Sequence, residues 1–304
     1  MDKSVVRNLI VNFLEGSGCN RVLPEIAINE DVAGMEIFSP PLLGVAGAAD
    51  PAFSGLKKEG VVGDHLLLPE EWLPGARSVI SFFLPFTKII RRANRADPAE
   101  PSPEWLHGRI EGQECINRLM AFLVSRLEEG GERALSPSLD CRFASCTGEN
   151  RVFLDEEGRP LPVSFTSNWS ERHAAYVCGL GSFGLSKGFI TERGIAGRFG
   201  SVITTAFLEP DNTIPSSVYE RCSLCGACVR NCPVGAISIE GGKDHIRCAE
   251  YLDIMKKKYS PRYGCGKCQV NVPCEWGIPD PSEGQSASSA AGGSPEMRGC
   301  TPGK

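Results

Sequence analysis

The sequence predicts an α+β fold whose last third is a small cysteine-rich module. Three observations carry this. Apolar stripes of helical period alternate with short runs rich in β-branched and aromatic residues. Eight of the fourteen cysteines fall between residues 217 and 278. After Pro279 the composition changes to Ser, Gly and Ala, which predicts a disordered tail over 279–304. The expected domains are therefore 1–215, 216–278 and that tail.

The elements follow in order. Val6, Leu9, Ile10, Phe13 and Leu14 recur at helical spacing, with Ser4 as the candidate N-cap. Residues 40–75 are rich in Gly and Pro and read as loops with short elements. Residues 76–86, ARSVISFFLPF, read as a buried strand stopped by Pro85. Residues 96–105 read as a turn-rich connector. Ile116, Leu119, Met120, Leu123 and Leu127 form one stripe and predict a helix over 111–129. A hairpin turning at Glu157-Gly158 is expected over 150–163. A helix is expected over 171–178 and a strand over 200–208.

The net charge of −5 argues against a nucleic-acid surface. No apolar run reaches the 18 or so residues that span a bilayer. The first residues mix both charge signs and read as an amphipathic helix, not a signal peptide. The expectation is a cytoplasmic protein, where clustered cysteines bind metal more often than they form disulfides.

Residues 222–233, CSLCGACVRNCP, have the spacing C-x2-C-x2-C-x3-C-P. This is the bacterial ferredoxin run for a [4Fe–4S] cluster, in which the fourth cysteine serves a second cluster. Two clusters need eight thiolates, and Cys248, Cys265, Cys268 and Cys274 supply the remaining four. The expected sets are Cys222, Cys225, Cys228 and Cys274 on one cluster, and Cys232, Cys248, Cys265 and Cys268 on the other. Zinc is the competing occupant of C-x2-C pairs, but it calls for four ligands without this run and its proline. Cys19, Cys115, Cys141, Cys146, Cys178 and Cys300 read as inert thiols, with Cys141-x4-Cys146 a weak ligand pair.

Gly179, Gly181 and Gly184 form a G-x-G-x-x-G. A dinucleotide fingerprint needs a strand before the first glycine and a helix at the last. Here the preceding residues read as helical, so a nicotinamide site is not expected.

GLGSFGLSKGFI, GRFGSVITT, CSLCGACVRNCPVGAI, RCAEYL and YGCGKCQ stand in the order found in the epoxyqueuosine reductase family. ARSVISFFLPF and WLHGR are similar to its N-terminal half. Over residues 70–275 the chain thus resembles that family and its relatives, the reductive dehalogenases. The resemblance implies a nitroreductase-like α/β domain that binds cobalamin against a dicluster ferredoxin-like domain. It implies that Gly179, Gly181 and Gly184, with His173, line the corrinoid, and that a low-potential donor of ferredoxin or flavodoxin type supplies electrons. The substrate would be a small molecule or a modified nucleoside; transfer RNA is not supported by the charge. Glu171 and Tyr176 are the expected catalytic residues, with His173 a further candidate proton donor. Trp169 and Asn168 are candidate pocket residues. Phe165 stands where the family carries its proton-donor Asp, which puts the queuosine substrate in question. The last cysteine motif also departs, since five residues separate Cys268 from Cys274. The alternatives are an electron carrier and a redox activator of a partner corrinoid enzyme, each without its own cobalamin.

Overall fold

The computed structural model describes residues 2–146, 152–154, 157–161, 163–211 and 213–280. Its helices are α1 (Lys3–Gly16), α2 (Pro51–Leu56), α3 (Pro69–Trp72), α4 (Lys88–Ala93), α5 (Pro103–Glu129), α6 (Glu171–Val177), α7 (Ala227–Arg230) and α8 (His245–Tyr259). Its strands are β1 (Leu42–Gly47), β2 (Ser78–Pro85), β3 (Ala134–Leu135), β4 (Gly181–Phe183), β5 (Phe189–Thr191), β6 (Gly197–Thr204), β7 (Ile237–Ser238) and β8 (Gly242–Lys243).

Four strands form one antiparallel sheet in the order β1-β2-β6-β3, with Ser81 opposite Ser201 in its centre. Both faces are covered. Ile80, Phe82 and Leu84 point to one side, where they meet Val6 and Ile10 of α1 and Ile116, Leu119 and Leu123 of α5. Val79 and Ile203 point to the other, against Ala174 and Val177 of α6 and the indoles of Trp72 and Trp169. Two covered faces explain why β2 is mostly apolar and buried at every position, Ser78 and Ser81 included.

Several expectations are adjusted. Asp2, not Ser4, caps α1: its carboxylate accepts from the Ser4 amide. The loop-rich 40–75 segment contains β1, which pairs with β2 despite two glycines. α5 begins at Pro103, eight residues before the expected start at 111, because Ser102 Oγ accepts from the Trp105 amide and Pro103 suits a first turn. The expected connector thus ends at Ser102. Of the 150–163 hairpin, the described residues show one bridge, Leu154 to Pro160, with Gly158 at positive φ between them; residues 150, 151, 155, 156 and 162, and the tail from 281, lie outside the described residues. Among the described residues, no helix is long and apolar enough to cross a membrane.

The cysteine-rich module is built from α7, the β7–β8 hairpin and α8, with short turns at 267–269 and 273–275. It is bonded into the turn after α4. Lys267 Nζ donates to the Asn94 carbonyl at 2.7 Å, and Asn94 Nδ2 donates to the Cys265 carbonyl at 2.9 Å. Arg95 holds the buried Glu275 carboxylate at 2.6 Å, and Arg91 Nη1 reaches the Glu275 carbonyl. Gly266 fits because any Cβ there would overlap the Trp105 ring, and its φ is +72°.

Candidate metal centre and adjoining cleft

Cys222, Cys225, Cys228 and Cys274 line one small cavity, whose other walls include Ile190, Ile195 and Val272. This is the first set expected from spacing. The neighbouring thiols raise one another in matching groups. Cys274 feels Cys222, Cys228 and Cys225; Cys265 feels Cys268 and Cys248; Cys268 feels Cys248 and Cys232. The two sets meet where Cys228 feels Cys268. Burial, then these neighbours, pushes Cys228 up to about 12. Cys265 also reaches about 12, mainly through burial. Thiols raised this far stay protonated at neutral pH unless a metal takes them.

Every described cysteine is a free thiol. Among the described residues, no three His, Cys, Asp or Glu side chains converge tightly enough to hold a single metal ion. Four sulfurs on one zinc would lie only about 3.8 Å apart. A cavity ringed by thiols suits a bulky cluster better than a point ion. Gly226 at φ +67° begins α7 and lets the loop wrap the cavity.

Beside this centre runs a cleft of about 580 Å³ between the sheet and the cysteine module. Its polar walls are Arg109 and Gln113 of α5, Glu171 and Arg172 of α6, Arg198 of β6, and Gln269, which follows Cys268; Phe189, Ile195 and Phe199 form its apolar side. It continues past Arg109, Gln113 and Arg198 into an outer cleft of about 890 Å³ that ends at Tyr263. Glu171 is placed by the first turn of α6 against the sheet. Both its carboxylate oxygens are buried without a hydrogen-bond partner. Burial raises it to about 7, although the nearby Ser201 and Ser138 hydroxyls pull the other way.

The other expected residues divide. His173 is lowered to about 4 by burial and by Arg172, so it is neutral; its Nδ1 pairs with Ser170 Oγ at 2.7 Å. Tyr176 donates to the Pro215 carbonyl at 3.0 Å and does not line the cleft. Trp169 donates to Ser201 Oγ, and Asn168 ties Ala144 to Arg142, so both brace the loop. Phe165 stacks on His245 at 5.7 Å and puts no carboxylate there. Cys146 Sγ points at the Val163 and Thr166 carbonyls, while Cys141 is exposed. Cys300 lies outside the described residues.

The glycine loop is a helix end and a hairpin, not a strand-turn-helix unit. It follows α6 and opens β4, which pairs with β5. A Cβ at Gly179 would overlap Thr213, and one at Gly181 would overlap the Ile190 carbonyl. Gly184 lines the first thiol cavity. The protein's own atoms thus cover the bare faces of Gly179 and Gly181. Sequence reasoning missed Arg109, Gln113, Arg172, Arg198 and Gln269, whose signal is only their assembly in space.

Fold and site define an iron–sulfur protein, with a ferredoxin-type module packed on an α/β layer. The family model for a 4Fe-4S binding domain matches residues 216–238. An epoxyqueuosine reductase of Vibrio cholerae is 32% identical over 219 residues, 67% of this chain and 52% of that protein. A reductive dehalogenase structure described as suggesting a mechanism for B12-dependent dehalogenation aligns over 82% of this chain and 32% of its own, with a TM-score of 0.50 at 13% identity. A selenomethionine-labelled epoxyqueuosine reductase aligns over 92% and 70%, with a TM-score of 0.45 at 18% identity. The chain belongs to the epoxyqueuosine reductase-like family. It spans about half the length of the curated relative it matches.

Proposed function

We propose that the protein is an iron–sulfur reductase in which two [4Fe–4S] clusters deliver low-potential electrons to a substrate in the Arg-lined cleft. The observation that carries this is the thiol cavity of Cys222, Cys225, Cys228 and Cys274, beside the Cys232, Cys248, Cys265 and Cys268 set. Gln269 extends that second set to the cleft wall. Clusters supply one-electron steps whose potentials follow charge, hydrogen bonding and exposure. Glu171, uncharged below about pH 7, supplies a proton from its carboxyl at the inner end. Arg109 and Arg198 orient the ligand. The electron donor is of ferredoxin or flavodoxin type.

The resemblance and the dehalogenase neighbour support a corrinoid as well. The residues present do not fit that group where the resemblance puts it. Thr213 and Ile190 cover Gly179 and Gly181, and the two clefts are lined by guanidiniums.

The test is anaerobic reconstitution followed by iron, zinc and corrinoid analysis and reduction with dithionite. About eight irons per chain and reoxidation of the reduced clusters by a substrate support the reductase. Zinc in their place, or no substrate-dependent reoxidation, overturns it. Epoxyqueuosine-modified transfer RNA is one substrate to try. A corrinoid retained at one per chain would restore the cobalamin-dependent form, and reduction of a separate corrinoid protein would favour the activator.

A further inference from the structure

Three guanidiniums share the cleft, and no carboxylate among the described residues is paired with any of them. Arg198 spends its Nε and Nη2 protons on Gln113 Oε1, a neutral acceptor. Arg109 donates to the Tyr263 hydroxyl at 3.0 Å, and Arg172 to the Lys187 carbonyl at 3.2 Å. None of the three has an ion pair among the described residues. The charges nonetheless feel one another: Arg198 feels Arg109 and Arg172, and Arg172 feels Arg109, with only the Tyr263 hydroxyl opposing at Arg198 and the Cys268 thiol at Arg172.

The acids nearby do not relieve this. Glu111 is engaged by Arg262 and His107. Glu114 lines the outer cleft on the exposed side of α5. Glu171 has no charged group among the causes that set its protonation. A folded chain that gathers three like charges in a half-buried cleft has put positive charge where a ligand is to supply the negative. One carboxylate occupies one guanidinium fork, so three forks suit a doubly charged group.

We propose that this cleft binds a dianionic oxyanion on a small ligand, a phosphate monoester or a dicarboxylate, through Arg109, Arg172 and Arg198. The inference rests on the reductase reading for its claim that this ligand is the substrate; the binding itself does not.

The test is calorimetric titration of the anaerobically reconstituted protein with inorganic phosphate in one arm and malonate in the other. One site per chain for at least one anion is expected, and the stronger arm names the class. Arg109→Gln and Arg198→Gln should each weaken binding about 10-fold or more, and added salt should weaken it further. Arg198→Lys should fall between, since it keeps the charge and loses the fork. Arg126→Gln, about 25 Å from Arg109 along α5, should bind as the parent does. Circular dichroism and iron content confirm that each variant is folded. No saturable binding of either anion, or unchanged binding in both glutamine variants, overturns the proposal. Iron content and cluster reoxidation are read separately, so loss of the reductase reading leaves the anion result standing, and the reverse.

Discussion

Lys267 Nζ lies 2.7 Å from the backbone carbonyl of Asn94, a buried bond between the cysteine module and the turn after α4. Lys267 sits between Cys265 and Cys268, so this one ammonium both joins the two parts and places positive charge beside the second thiol set. Burial works against that charge and Cys265 supports it. Lys267→Met should cost about 1–3 kcal/mol, because the Asn94 carbonyl is left without its donor. It should also make one cluster's reduction potential more negative, since a positive charge near the cluster favours the electron. Chemical denaturation and a redox titration check the two halves.

The cysteine sets separate by substitution. Cys225→Ala and Cys265→Ala should each lose about four irons per chain. Cys178→Ala should lose none, because that thiol is buried in the core against the Val79 carbonyl. Iron analysis after anaerobic reconstitution decides. Equal iron in all three proteins would remove the cluster assignment.

Glu171 sets a pH dependence whose sign follows from burial. Its carboxyl ionises near 4.5 when unfolded and at about 7 when folded. Between those values the unfolded state holds fewer protons, so stability falls as pH rises and then levels off above about 7. Below about 4.5 this penalty is absent. Glu171→Gln removes the contribution, so its thermal midpoint relative to the parent should improve from pH 5 to pH 8. Paired melts at the two values test this.

Gly266→Ala should destabilise by roughly 2–4 kcal/mol, through overlap with the Trp105 ring and a φ that L-residues avoid. Denaturation of the reconstituted protein measures it. A change well under 1 kcal/mol would mean that the module is not seated on Trp105 as described.

The amino-acid sequence by itself determined the features that rest on local periodicity and spacing. The C-x2-C-x2-C-x3-C-P run marks the metal centre because its geometry is built into a dozen residues. The buried strand at 78–85 and the stripe of α5 were legible because each needs one face or two to be apolar. The glycine cluster showed what it was not, since no strand precedes it, but not what its glycines touch. Thr213 and Ile190 decide that from elsewhere in the chain. β1 was hidden because its glycines weaken the local strand signal, and only pairing with β2 makes it a strand. The cleft was decided by tertiary structure alone. Arg109, Arg172, Arg198 and Gln269 come from two helices, a strand and a cysteine-module turn. Each alone reads as a surface side chain, and only packing sets the three arginines side by side with no carboxylate paired to them.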